Sequence, residues 1–518
     1  MTLLGRRRPL PSSKHHRASS KTHDTPSRSM NTSRSVLLGS RRIWIVSVLG
    51  IAFLVGFHTL HQSQLEWLRQ QVTITGNSFT ESVECPPLST LTSTNVSRAI
   101  LSNLILNEEC LALQAKRLAV VWQPKPFHGG HSHSSSSITP PPTHETWCYK
   151  TTSQNTTAYT STSFSKSSLR LIKVPKSASS TVTGMLLFAH SLQNCTQPFE
   201  WQHQKRKDYP LAVSNEVSVF QLAPIRQPSS RALSSVYFHS VSFHQSHTIQ
   251  EASDFVYPSD EVCIHQLQQQ TLDNFILDYT SEWTPWSSTR MKQVIATLDT
   301  NNEVSTTQSV VFDYLMSIHK AITDILPTTT TTTTTHHLPQ RLDPYDFLLV
   351  TERMEESIVV LSYLTNIPLA HWIVFSSKQS TSQSSWSSSK RISWYRAGKG
   401  DQSRCIPLVP PKQTMAVTHY LQSVEWNVKQ YGDRLLHAIA NASLDATLQS
   451  MGKDHVHQQL QTLRQLTATA KETCLEQTAF PCSSNGTMQF EASQKSCLVR
   501  DFACGYQCIA NVLAPKEK

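Results

Sequence analysis

The chain has 518 residues with 46 Lys and Arg, 36 Asp and Glu, and a net charge of +10. Residues 1–42 hold ten of the basic residues and one acid, Asp24, so nearly all the excess positive charge is in this tail and the remainder is close to neutral; a nucleic-acid-binding body needs a positive face of its own, and none is expected. Only 14 glycines exclude collagen-like and Gly-linker architectures, and a hydrophobic share of 38% leaves part of the chain outside a packed core.

After the basic tail, residues 43–60 read IWIVSVLGIAFLVGFHTL, with no Asp, Glu, Lys or Arg. Eighteen helical residues span roughly 27 Å, enough to cross a thin bilayer. Arg41 and Arg42 stand at the front edge. The positive-inside rule makes this a single-pass signal anchor, with residues 1–42 cytoplasmic and the rest lumenal. A 42-residue charged leader is too long for a cleaved signal peptide. All 11 cysteines follow the segment, as an oxidising lumen favours. So do the sequons at Asn95, Asn155, Asn194, Asn441 and Asn485.

Residues 61–165 alternate short apolar runs with Ser/Thr/Pro-rich and His-rich stretches and read as a low-complexity stem. Residues 166–450 read as the ordered domain, interrupted by the Thr run at 328–335 and the Ser-rich stretch at 376–389. Within it the pattern is strand, loop, helix, repeated. LRLIKV (169–174) is a strand, PKSASST a loop, and TVTGMLLFAHSL a helix with Ser179 or Ser180 as N-cap. VSVFQLAPI (217–225) is a second strand, followed by a helix with Pro228 in its first turn. DFLLVTERMEESIVVLSYL (346–364) is a third strand and helix. This alternation predicts an α/β fold, a parallel sheet flanked by helices. Residues 451–518 form a Cys-rich extension spaced C-x7-C-x14-C-x6-C-x3-C from Cys474, which fits disulfides better than zinc knuckles. Eleven is odd, so one thiol stays free or pairs between chains.

The chemistry is expected at the first loop. A strand running into V-P-K-S-A-S-S-T and then a helix aims backbone N–H groups and a helix dipole at an anion. Lys176 adds a charge, and the hydroxyls of Ser177, Ser179, Ser180 and Thr181 add donors around Ala178. The G-x4-G-K-[ST] signature is absent. IKVPKSASSTV resembles the 5′-phosphosulfate loop of the Golgi carbohydrate sulfotransferases, which use 3′-phosphoadenosine-5′-phosphosulfate (PAPS). RQPSSRALS, Arg226 to Ser234, is similar to that family's 3′-phosphate motif R-[DN]-P-x-x-R-x-x-S, with Gln227 in place of the usual acid. TERMEESIVVL (351–361) and WNVKQYGDRLLHAIANASLD (426–445) resemble stretches of the galactose 3-O-sulfotransferases.

The resemblance implies a P-loop-like sulfotransferase fold and a type II Golgi membrane enzyme that passes sulfate from PAPS to a sugar hydroxyl of a glycan acceptor, with no metal. It implies that Lys176 and residues 177–181 hold the 5′-phosphosulfate and that Arg226 and Ser234 hold the 3′-phosphate. By likeness to the heparan sulfate 2-O-sulfotransferases, His203 is the candidate general base and Glu200 the carboxylate alternative. The competing classes are a Golgi glycosyltransferase, although no two aspartates stand in D-x-D spacing, a lumenal kinase, although the kinase signature loops are missing, and a non-catalytic membrane glycoprotein of the same fold.

Overall fold

The computed structural model describes residues 85–513, except 93–95, 125–165, 193–199, 203–216, 244–255, 270–273, 300–304, 328–343, 376–392, 398–403, 409–410, 484–485 and 500–501. Contacts divide the chain into Met1–Ser82 and Val83–Lys518, and every described residue belongs to the second unit. The expected anchor at 43–60, the Thr run and the Ser-rich stretch lie outside the described residues. Among the described residues no helix is long and apolar enough to cross a membrane.

The unit is a helix-rich α/β body. In chain order its helices are α1 (Arg98–Leu106), α2 (Glu108–Leu118), α3 (Ser179–Leu192), α4 (Pro228–Tyr237), α5 (Asp260–Gln269), α6 (Phe275–Thr280), α7 (Ser288–Asp299), α8 (Ser305–Thr323), α9 (Met354–Thr365), α10 (Met415–Leu421), α11 (Val424–Lys429), α12 (Tyr431–Met451), α13 (Lys453–Cys474), α14 (Phe490–Ser496) and α15 (Tyr506–Leu513). The central sheet is formed by β1 (Lys166–Ile172), β2 (Glu200–Gln202), β3 (Val217–Ile225) and β4 (Phe347–Val350). All its pairings are parallel, in the order β2-β1-β3-β4. Two antiparallel hairpins, β5–β6 (Ser393–Ala397 and Arg404–Leu408) and β7–β8 (Cys497–Val499 and Phe502–Cys504), complete the strands.

The strand order has a functional consequence. From β1 the chain crosses to β2 on one side, and from β3 it crosses to β4 on the other. Crossovers of this kind are right-handed, so the two excursions leave on opposite faces of the sheet. The carboxyl ends of β1 and β3 therefore flank a topological switch point, the crevice position at which open parallel sheets bind ligands.

The sheet is built from the residues expected of it. Strand β3 matches the second predicted strand, and β4 carries the third in a run, FLLV, that is buried throughout, as parallel strands covered on both faces are. Pro228 opens α4, where its missing N–H costs nothing. The expected N-cap of α3 is corrected: the helix begins at Ser179, so Ala178 precedes it and no serine caps it. The Ser179 carbonyl instead accepts the Thr183 hydroxyl at 2.7 Å.

Two domain boundaries are also corrected. The region expected to be a low-complexity stem, 61–165, supplies part of the core. Ser97 and Asn107 cap α1 and α2, and Leu101, Leu104 and Ile105 are fully buried. Trp122 packs edge-on against Phe347 of β4 with ring centroids 6.1 Å apart. The backbone of Val120 and Trp122 donates to Ser443 and Thr447 of α12, each at 3.0 Å. The Cys-rich end is likewise no separate extension. Hairpin β7–β8 lies along α3, where Ala503 N is 3.0 Å from the position a side chain on Gly184 would take. The Phe502 ring lies 4.7 Å under the Lys173 ammonium.

The expectation of disulfides is met. Cys85 pairs with Cys110, Cys405 with Cys482, Cys474 with Cys508 and Cys497 with Cys504. Cys263 is a buried free thiol, and Cys148 and Cys195 lie outside the described residues. Of the sequons, Asn441 sits within α12 with its amide donating to the His437 carbonyl at 3.0 Å; the other four asparagines lie outside the described residues.

Candidate functional site

The loop after β1 holds two left-handed non-glycine residues within three positions. Between Val174 and α3 the chain passes Pro175, Lys176, Ser177 and Ala178, with Lys176 at φ 63° and Ala178 at φ 53°. Neither is glycine, and each left-handed residue of this kind costs on the order of 1 kcal/mol. Alternating backbone handedness turns successive N–H groups inward into an anion-binding nest. The nest opens on the start of α3, where the Ala178 carbonyl accepts the Thr181 N–H at 2.9 Å and the Val182 N–H at 3.1 Å; the dipole and N–H groups of a helix start favour an anion. Ser177, at the centre of the loop, is fully buried, and its hydroxyl has no hydrogen-bond partner among the described residues. An unpaired hydroxyl in such a place is costly unless a ligand or water completes it.

The loop after β3 meets this one across the switch point. Arg226, the first residue beyond β3, donates from Nη1 to the Lys176 carbonyl at 3.0 Å. Burial lowers the pKa of its guanidinium, and the neighbouring Glu352 carboxylate partly offsets that. The Lys176 ammonium lies 3.8 Å from the centroid of the Phe238 ring, a cation–π contact. Phe238 begins the π-helical turn Phe238–Phe243 that continues α4, a distortion often found at functional sites. The cations of both loops are thus gathered at the carboxyl ends of β1 and β3.

Gln227, which stands where the resembled motif has Asp or Asn, has a structural role of its own. Its side-chain oxygen accepts the Ser230 N–H at 2.6 Å and caps α4, as an acid there would. It does so without placing a negative charge beside Arg226. Ser234 lies on α4, two turns in and half-buried. Ser180 and Thr181 lie half-exposed in the first turn of α3, and Ser179 is buried.

Arg231, the second arginine of the same motif, is 1% exposed, and its guanidinium carbon lies 4.2 Å from the Phe275 ring. Its Nε and Nη2 have no hydrogen-bond partner among the described residues. Burial pulls its pKa down to about 10, against the opposing pull of the Asp433 carboxylate. Asp433 accepts the N–H groups of Ile276 and Leu277 at 2.9 Å each and so fixes the start of α6. Arg231 is therefore part of the core beneath the crevice.

The structure thus brings Lys176, Ser177, Ala178 and Arg226 together, with Ser179, Ser180, Thr181 and Ser234 on the two helices that leave the crevice. His203 lies outside the described residues. Strand β2, which includes Glu200, ends at Gln202, immediately before it, and runs parallel to β1. Sequence reasoning missed Phe238, which carries no recognisable signal, and gave no role to Glu352 or His437, although both lie in the quoted likenesses. Among the described residues no group of three or more His, Cys, Asp or Glu could hold a metal ion. No family model, curated protein or solved structure matches the chain.

Proposed function

We propose that the chain is a PAPS-dependent carbohydrate O-sulfotransferase, a type II membrane protein of the Golgi whose catalytic body faces the lumen. The observation that carries this reading is the meeting of the two phosphate-type loops at the sheet's switch point, with Arg226 bonded to the Lys176 backbone. The residues fit the donor. The nest, the start of α3 and the unpaired Ser177 hydroxyl suit the 5′-phosphosulfate, and Arg226 with Ser234 suits the 3′-phosphate.

PAPS supplies the sulfuryl group. The chain supplies position and charge, which dominate catalysis in transfers of this type. Lys176 leaves the Phe238 face to neutralise the oxygen that gains charge as the sulfur–oxygen bond to the 5′-phosphate breaks. The acceptor hydroxyl oxygen bonds to sulfur, and its proton passes to a base, for which His203 is the candidate. The likeness of TERMEESIVVL to the galactose 3-O-sulfotransferases favours a galactose 3-hydroxyl on a glycoprotein, glycolipid or polysaccharide.

The test is calorimetric titration of the full-length chain in detergent with adenosine 3′,5′-bisphosphate. Wild type is expected to bind at micromolar Kd. Lys176→Ala should weaken binding about tenfold and Arg226→Ala up to about a hundredfold, as loss of charge-assisted bonds to phosphate does. A folded wild type that does not bind would overturn the proposal and return the chain to the glycosyltransferase and non-catalytic classes.

A further inference from the structure

At the carboxyl end of β4 the chain makes one 3-10 turn, Thr351–Arg353, before α9. Two successive side chains of that turn reach two different loops. Thr351 donates from Oγ1 to the Ser177 carbonyl at 3.3 Å, in the loop after β1. Glu352 accepts the Gln227 N–H on Oε1 at 2.9 Å, in the loop after β3. We infer that Thr351 and Glu352 are positioning residues of the nucleotide site, Thr351 setting the 5′-phosphosulfate loop and Glu352 the 3′-phosphate turn. This rests on the proposed reading of the crevice.

The turn is anchored well enough to serve as a reference. Strand β4 behind it is wholly buried. Ser357 Oγ bonds both the N–H and the carbonyl of Val350 at 3.1 Å and locks the strand end to α9. Arg353 pairs with Glu356 and, at 2.7 Å, with Asp445 of α12. The second oxygen of Glu352 lies 3.3 Å from His437 Nε2, also on α12. The loops it touches need such support, since Lys176 and Ala178 hold strained conformations that persist only where the surroundings over-determine them.

The charge of Glu352 supports the same reading. A carboxylate beside an anion site opposes the ligand by Coulomb repulsion. Its contribution there is therefore geometric: it fixes the Gln227 backbone, and with it the direction from which Arg226 projects. Burial raises the carboxyl pKa, but the bonds from His437 and from the Gln227 N–H outweigh it and hold the group below the ordinary glutamate value, so it stays an acceptor.

Ligands that engage one loop at a time separate this role from general stabilisation. The probes are adenosine 3′-monophosphate, adenosine 5′-monophosphate and adenosine 3′,5′-bisphosphate. Binding to the full-length chain is read by ligand-observed NMR, with melting temperature recorded for each variant. Glu352→Ala is expected to weaken the 3′-monophosphate and the bisphosphate about tenfold and to leave the 5′-monophosphate within twofold. Thr351→Val should do the reverse, about threefold to tenfold on the 5′ ligand. Glu352→Gln keeps an acceptor for the Gln227 N–H and removes the repulsive charge, so it should bind the 3′ ligand at least as tightly as wild type. Equal losses on both monophosphates, or no loss on either, would overturn the inference while leaving the nucleotide site standing. A wild type that binds none of the three would remove the site and the inference together.

Discussion

Ala178 holds a methyl group at φ 53°, in the turn that aims the α3 N-terminus at the crevice. Glycine there would relieve about 1 kcal/mol of strain in the folded state and return a similar amount through the looser unfolded chain. Ala178→Gly should therefore leave stability within about 0.5 kcal/mol and keep binding of adenosine 3′,5′-bisphosphate intact. Ala178→Val places a branched side chain in the left-handed region and should cost about 2 kcal/mol or more. Urea denaturation of the pair measures both, and a valine variant as stable as wild type would show that the strain is not real. The residues of this loop were legible in the sequence because Lys, Ser and Thr between a strand and a helix carry their chemistry in their identity. The backbone handedness was not legible, since with no glycine in the loop nothing in the composition marks it. Gln227 differs from the resembled motif in its identity, while the structure gives its side chain the Ser230 N–H to cap.

Elements were legible where local pattern decides and hidden where distant packing decides. Strand β3 and helix α4 declare themselves through a largely apolar run and a proline at the first turn. Strand β2 has three residues and exists only because β1 offers it a parallel edge. Helices α1 and α2 lie in a stretch whose overall composition reads as stem, although Ser97 and Asn107 stand at their starts as cap residues. Gly184 is the same lesson inside one helix. A mid-helix glycine costs about 1 kcal/mol against alanine, and its reason lies far along the chain, in the Ala503 backbone 3.0 Å from where a Cβ would stand. That backbone belongs to a hairpin closed by Cys497–Cys504 and bridged to Phe375, so it yields poorly. Gly184→Ala is expected to lower stability by about 1–2 kcal/mol despite the better helix propensity. A gain in denaturation midpoint would mean that the hairpin moves freely on α3.

The folded body of the whole molecule is larger than the sheet and its loops. Composition places its limits at 166 and 450, because low-complexity stretches and cysteine spacing look alike whether the segment packs or not. Among the described residues the buried core runs from Leu88 to Ile509. Leu101, Leu104, Ile105 and Trp122 come from before the first strand, and Phe502 and Ile509 from after the last long helix, all at most 7% exposed. Burying six such side chains contributes on the order of 10 kcal/mol, as much as the net stability of a typical domain. The two flanks also hold Cys85–Cys110, Cys474–Cys508 and Cys497–Cys504, and Cys482 joins Cys405 from outside the expected domain. A fragment of residues 166–450 should therefore show no cooperative thermal transition and no nucleotide binding. A fragment of residues 83–518, secreted through an oxidising compartment, should melt in one transition and bind adenosine 3′,5′-bisphosphate as the full-length chain does. A sharp transition from the shorter fragment would return both flanks to the role of appendages, and would place the proposed nucleotide site on a smaller core that stands without Trp122 or the Phe502 hairpin.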